Sequence, residues 1–366
     1  MRFPGVEGEW ARCTLGEIGE PYIGLTYSPA DVVNEGGTIV FRSSNIQNGE
    51  IDYSDIVRVN KKIKDSIITR KDDLLICARN GSPRLIGKNA LLKDADAGQT
   101  FGAFMLVFRS NDNHFVHQLL STKGYYSQVS ENLGARINQI TTSNIKDFEF
   151  YFPKSIAERN KIAVFLNLID ERISIQNKVI EKYESLIKAI TRCLVHCNGH
   201  QCFLGDIAEI YQPKTITGLE MSNGGQYPVF GANGIIGHYK DYNHASPQIC
   251  IACRGNTCGV LNYSLPFSWI TGNSMVINVD SASGVNKRFL FHLLSTVEYS
   301  PLISGSGQPQ IVRGPLRKLR ITLPDKQYQD KNAQIIDCLI EKSNVEKALL
   351  RKLQTQKNFF LTAVFI

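Results

Sequence analysis

Two similar α+β domains, separated by two long helices, are what this 366-residue chain predicts. Three observations lead there. The chain repeats itself once over more than 150 residues. Each copy opens with short β-favouring runs punctuated by glycine. Each copy closes on roughly 40 residues whose apolar positions recur at helical spacing.

The repeat is read directly. Leu15-Gly16-Glu17-Ile18 returns as Leu204-Gly205-Asp206-Ile207, and Leu75 to Arg79 returns as Cys250 to Arg254. Phe115 to Thr122 returns as Phe289 to Thr296. Gly134 through Pro153 aligns without a gap to Gly305 through Pro324, sharing Gln139/Gln310 and Ile140/Ile311. The offset shrinks along the copies, so the first carries extra residues in its first half. This period is far beyond the roughly 20–50 residues of a solenoid. Similar frames with unlike loops suit one task performed on two targets; a duplication without functional meaning is the plainer alternative.

In the first copy, strands are expected at Thr38–Phe41, Asp73–Ala78, Phe104–Phe108 and Phe148–Phe152, with a local helix from His114 to Gln128. The second copy offers Gln248–Ala252 and Ser274–Val279, then a helix from Lys287 to Val297. Ile156 to Cys197 contains no Pro or Gly. Its apolar positions include Ile162, Phe165, Ile169, Ile173, Ile180 and Ile187, interrupted by Gln176. Lys326 to Ile366 repeats the pattern less regularly, with Leu349 and Leu353 placed on the seam. A helix of that length spans about 60 Å and cannot leave its stripe in water. The two helices are therefore expected to pair antiparallel as a coiled coil with a domain at each end, a pseudo-two-fold arrangement. Packing of each helix on its own domain is the alternative. The divisions are 1–155, first domain; 156–198, central helix; 199–325, second domain; and 326–366, C-terminal helix.

Composition narrows the class. Mean hydropathy is −0.15, and no apolar run approaches the roughly 18 residues of a membrane span. Met1 to Gly5 has no signal-peptide core, so the cytoplasm is the default compartment. Nine scattered cysteines read as reduced thiols. Net charge +7 leans toward a polyanionic partner.

Catalytic signatures are missing. Gly81 to Lys88 is one residue too long for a phosphate loop, and Asn89 stands where Ser or Thr would bind magnesium. There is no Gly-x-Gly-x-x-Gly, no Gly-x-Ser-x-Gly and no Pro-Pro pair. Cys193, His196, Cys197, His200 and Cys202, with Cys250, Cys253 and Cys258, have the chemistry for zinc. They straddle a helix end, a link and a strand, so thiols and no metal are expected. The basic and amide-bearing loops are the candidate site: Arg79, Asn80, Arg84, Lys88, Arg136 and Asn138 in the first copy, and Arg254, Asn256, Gln308 and Arg313 in the second. Arg pairs with guanine and Asn or Gln with adenine through two hydrogen bonds, while other cations hold phosphates. Surface polars in ordinary turns would look the same. Residues shared by both copies, such as Gln139/Gln310, are expected to shape the scaffold.

Several segments resemble the specificity subunits of type I restriction–modification enzymes. They are Arg2-Phe3-Pro4-Gly5 with Trp10 and Leu15-Gly16, Ala78 to Gly81, and Tyr227 to Gly234. Gly305 to Gln310 closing at Pro324, and Glu158 to Leu166, complete the set. The resemblance runs through the whole chain. It implies two target-recognition domains, each reading half of a split double-stranded DNA site. It also implies two modification subunits carrying S-adenosylmethionine, and restriction subunits that use ATP and magnesium. The chain itself would be a non-catalytic subunit without cofactor or membrane contact. The family often has Glu-Gln ahead of each helix; here Glu158-Arg159 and Gln329-Asp330 stand there. Alternatives are a specificity partner of another restriction system or an orphan methyltransferase, and a bivalent protein-binding scaffold. If the helices act as a ruler, two helical turns inserted into the central helix should lengthen the unread spacer and leave the bases read unchanged. Methylome sequencing of a host carrying the variant checks this; altered bases with an unaltered spacer would sink it.

Overall fold

The structure is a computed structural model that describes residues 8–133, 138–196, 198–218, 221, 225–305 and 307–365. It forms two compact units, 1–178 with 348–366, and 179–347. These differ from the four segments drawn from sequence, because each unit takes one stretch of both long helices into its core.

In the first unit a four-stranded antiparallel sheet runs in the order Glu20–Ile23, Met105–Arg109, Leu74–Cys77, Asn89–Leu91. Both faces are covered, which is why Leu74-Leu75-Ile76-Cys77 is apolar without alternation. Leu74, Ile76, Leu106 and Phe108 face a core shared with the helix Asn113–Leu119 and with Ile162 and Leu166 of the central helix. Leu75, Cys77, Met105 and Val107 face the other way, onto Phe41 and Phe101 of a second, smaller sheet. There Thr38–Phe41 pairs parallel with Thr100–Phe101 and antiparallel with Val57–Val59.

The second unit repeats this plan. Its large sheet runs Glu209–Tyr211, Ser274–Asn278, Ile249–Ala252, Leu261–Tyr263. Ile249, Ile251, Met275 and Ile277 face the helices, while Cys250 and Val276 face Phe230 and Ile270 of the small sheet. Tyr227–Gly231 again pairs parallel with Trp269–Ile270, but its antiparallel neighbour is the hairpin strand Gly234–Tyr239. The extra residues of the first copy fall here. The chain between the parallel strand and the large sheet is 42–73 in the first unit and only 232–248 in the second. The local helix also departs from expectation: Asn113–Leu119 ends and Lys123–Glu131 starts afresh, with the Thr122 side chain accepting from the Tyr125 amide. In the second unit the helix stops at Leu294.

The central helix spans Ile156–Val195 and the C-terminal helix Lys326–Val364. In the first unit Phe165 meets Phe360 edge-on with 4.9 Å between ring centres, and Asp170 pairs with Lys357 at 2.5 Å. In the second, Glu184 pairs with Lys347 at 2.6 Å, and the Tyr328 hydroxyl donates to the Leu194 carbonyl at 3.4 Å. Within each unit, rising numbers on one helix meet falling numbers on the other, so the pair is antiparallel. Ile162, Phe165, Ile169, Ile173, Ile180 and Ile187 are all buried or half-buried, and Ile162, Ile169, Gln176 and Tyr183 keep a seven-residue step. Ile336, Ser343, Leu350, Lys357 and Val364 do the same on the partner, with Leu353 also buried. Leu349 is a correction. It is 39% exposed, because one residue turns the helix by about 100° and Leu350 takes the inward place.

A polar cluster lies under the first unit's core. The Gln118 amide donates to Asn167 at 2.7 Å and to Asp170 at 2.8 Å. Beside it the His117 Nδ1 is buried with no hydrogen-bond partner among the described residues. Burial pushes the His117 imidazole down to about 4; Asp170 opposes that shift, and Lys357 and His114 add to it. The unfolded chain therefore takes up the proton first, near pH 6.5.

Two measurements check this account. Leu166→Ala should cost about 2–5 kcal/mol in urea unfolding, since Leu166 is fully buried, whereas Leu349→Ala should cost under roughly 0.5 kcal/mol. Stability should also fall as pH drops from about 6.5 to about 4, by roughly 3 kcal/mol from His117. His117→Phe, which copies Phe291 at the equivalent place, should flatten that slope in pH-dependent melting.

Candidate nucleic-acid interface

Where the large sheet meets the late loop of each copy, the two units build the same joint. In the first, Arg79 forms an antiparallel bridge with Gln139, and the Ile140 amide donates to the Ala78 carbonyl at 2.9 Å. In the second, Arg254 bridges Gln310, and the Ile311 amide donates to the Cys253 carbonyl at 3.1 Å. The backbone uses its own donors and acceptors here, so each arginine is held at its base while its side chain projects exposed.

A groove of about 880 Å³ lies beside the first joint, lined by Tyr27, Arg42, Arg79, Asn80, Phe104 and Asn138 among others. The Arg79 guanidinium sits over the Phe104 ring at 4.9 Å from its centre. Asn80 and Asn138 are half-buried and hydrogen-bonded to neighbouring loop residues. The Asn80 amide donates to Ser43 Oγ at 3.0 Å, its oxygen accepts from the Ser82 backbone at 2.9 Å, and the Asn138 amide donates to the Gly81 carbonyl at 3.2 Å. They stiffen the groove wall; Asn80 has its oxygen and one N–H engaged, whereas Asn138 engages one N–H among the described residues. Arg84 is exposed on the turn Pro83–Leu85, and Lys88 is half-buried ahead of Asn89–Leu91. Arg136 lies outside the described residues.

In the second unit Arg254, Asn256 and Gln308 are exposed, and the Gly255 amide donates to the Pro309 carbonyl at 2.9 Å. This brings the 254–256 loop to the 308–310 turn. Arg313 does not join them. It opens the short helix Arg313–Arg317 and lines a separate hollow with Arg317 and His200.

Several of the basic residues at these loops stand without a charge partner. Among the described residues, Arg79, Arg84, Lys88, Arg254 and Arg313 make no ion pair, whereas Arg109 binds Asp73 at 2.9 Å and Arg159 binds Asp112 at 3.0 Å. Their charges are free to meet an anion, as are those of other unpaired basic side chains, so it is the position of Arg79 and Arg254 at the duplicated joint that distinguishes them. Burial raises Cys77 to about 11 and Cys250 to about 12, which keeps both protonated at neutral pH. Among the described residues no group of three His, Cys, Asp or Glu is arranged to hold a metal; Cys197 lies outside them. No described helix is long and apolar enough to cross a membrane.

Arg42, Tyr27 and Phe104 were not among the residues singled out from sequence. Arg42 stands in the segment that shifts the repeat offset, which could have flagged it. Phe104 gains its role only through the sheet pairing that seats it beside Arg79.

Similarity to known proteins agrees with the duplicated plan. A specificity subunit of the type I restriction enzyme EcoprrI from Escherichia coli is 31% identical over 111 residues, 30% of this chain and 27% of that protein. The StySPI specificity subunit from Salmonella potsdam is 25% identical over 195 residues, 51% of this chain and 42% of that protein. These alignments span less than half the length of either relative. The solved S subunit of a type I restriction–modification system from M. genitalium superposes with a TM-score of 0.70 at 19% identity, covering 100% of this chain and 99% of that one. A family model describing the type I restriction modification DNA specificity domain matches residues 7–185 and again 201–355. With both copies matched in this way, the chain belongs to the type I restriction modification DNA specificity domain family.

Proposed function

We propose that this chain is the DNA-reading, non-catalytic subunit of a type I restriction–modification system, working in the cytoplasm. Each unit reads one half of a split double-stranded site. The duplicated arginine–glutamine joint carries this reading. Two equivalent scaffolds present the same unpaired cation in different loop surroundings, and that suits a polyanion contacted twice with two different sequences.

Duplex DNA fits the chemistry. Exposed arginines neutralise phosphates and release counterions, and the loops beside them offer donors, acceptors and an aromatic face to base edges. Modification subunits would bring S-adenosylmethionine, and restriction subunits ATP and magnesium. This chain would hold no cofactor itself. Exposed Val164, Leu168 and Ile175, spaced four and seven along the central helix, support docking of a partner protein.

The test is binding of the full chain to its selected duplex between 50 and 200 mM salt. Arg79→Ala and Arg254→Ala should each lower the slope of log affinity against log salt by about 1. Each should weaken the contribution of one half of the site to binding, read on duplexes with one half scrambled, and leave the other half's contribution unchanged. Equal loss of both halves, or binding indifferent to salt, would overturn the reading.

A further inference from the structure

If the two units read different words, the residues that touch bases must differ between them, while residues common to both serve what is common to both half-sites. Arg79/Arg254 and Gln139/Gln310 are common. A base-reading position should therefore be exposed, sit at the same point of the shared backbone beside the arginine, and carry unlike side chains.

The turn that faces the arginine strand offers a position that meets all three conditions. In the first unit Gly102 to Met105 forms a tight turn, closed by the Met105 amide donating to the Gly102 carbonyl at 2.8 Å. In the second, Thr271 to Ser274 forms the equivalent turn, closed by Ser274 donating to Thr271 at 3.0 Å. The third residue of each turn is Phe104 and Asn273 respectively, and both are exposed. Each carbonyl is tied to the arginine strand: Phe104 accepts from Ala78 and Arg79 at 2.9 and 3.0 Å, and Asn273 accepts from Cys253 at 3.1 Å. The backbone is thus fixed in the same place twice, and only the side chain changes.

Resting on the reading proposed above, we infer that Phe104 and Asn273 are the paired specificity-determining residues of the two half-sites, Phe104 contacting a thymine methyl and Asn273 an adenine edge. The chemistry follows from the groups. A phenyl ring has no hydrogen bond to give and complements the one apolar group in the major groove, the thymine C5 methyl. A carboxamide donates and accepts side by side, matching adenine N7 and N6. Among the described residues the Asn273 side chain makes no hydrogen bond, unlike Asn80, whose amide nitrogen and oxygen are both engaged. Phe104 is 57% exposed and braced by Arg79, so its ring is presented with little freedom to lose.

The experiment is selection of binding duplexes from a random library by the full chain, wild type against Phe104→Ala and Asn273→Ala. Melting curves confirm that the exposed substitutions leave the fold intact. Asn273→Ala should lower discrimination about 5- to 150-fold at one adenine of one half-site. Phe104→Ala should lower it about 3- to 10-fold at one thymine of the other half. Replacing that thymine by deoxyuridine, which lacks only the methyl, should weaken the wild type and leave Phe104→Ala unaffected. A wild type that selects no two-part site would remove the functional reading itself. A wild type that selects one, with variants that keep every base preference or weaken both halves uniformly, would overturn this assignment alone.

Discussion

An amphipathic helix some forty residues long has to cover its apolar stripe, and both units are organised around meeting that demand. In the first unit Ile162 and Leu166 are part of the same core as Leu74 and Phe108. In the second, Val195 shares a core with Ile249, Ile336 and Leu293. The large sheets are therefore oriented by the helices they rest on. What the sheets carry on their far side, the small sheet and its loops, is positioned in turn. Core density makes this chain of contacts stiff, because a side chain in such a core has few other rotamers open to it.

The division of labour within each sheet follows from the two-residue period of a strand. Leu74 and Ile76 point at the helices, and Leu75 and Cys77 at the small sheet. A strand buried on both sides tolerates little change. Variation is pushed outward, to the turns and to the segment after Thr38–Phe41. The arginine of each joint stands at the border between those zones. Its amide and carbonyl belong to the frame shared by both copies and its guanidinium to the surface on which the copies differ.

Much of this was legible in the residues. The repeat announced two copies of one plan, and unbroken helical spacing announced both long helices to within three residues of their observed ends. Apolar runs located the central strands. The seam was less legible where the pattern thinned. Along the C-terminal helix Leu349 and Leu350 are adjacent and equally apolar, so spacing alone could not say which faced inward. The contacts of Lys357 and Phe360 decide it. The site was only half legible. Arg79 and Arg254 were marked by recurrence, but Asn80 looked free and is committed to the loop, while Arg313 faces a different hollow. Phe104 carries no motif. Its significance depends on a turn that only the strand pairing creates.

The parallel strand pair at the heart of each small sheet has one more consequence. Both ends of the segment that follows it are anchored to frame common to the two copies, yet that segment is 42–73 in one and 232–248 in the other. By the entropy of closing a loop, near-doubling its length costs only about 0.6 kcal/mol. A toll so small lets the tip be lengthened, shortened or replaced without unsettling what lies beneath. Insertions and deletions can therefore accumulate in this segment while the large sheet and the helices beneath it keep their packing, each altered tip inheriting a foundation that already folds.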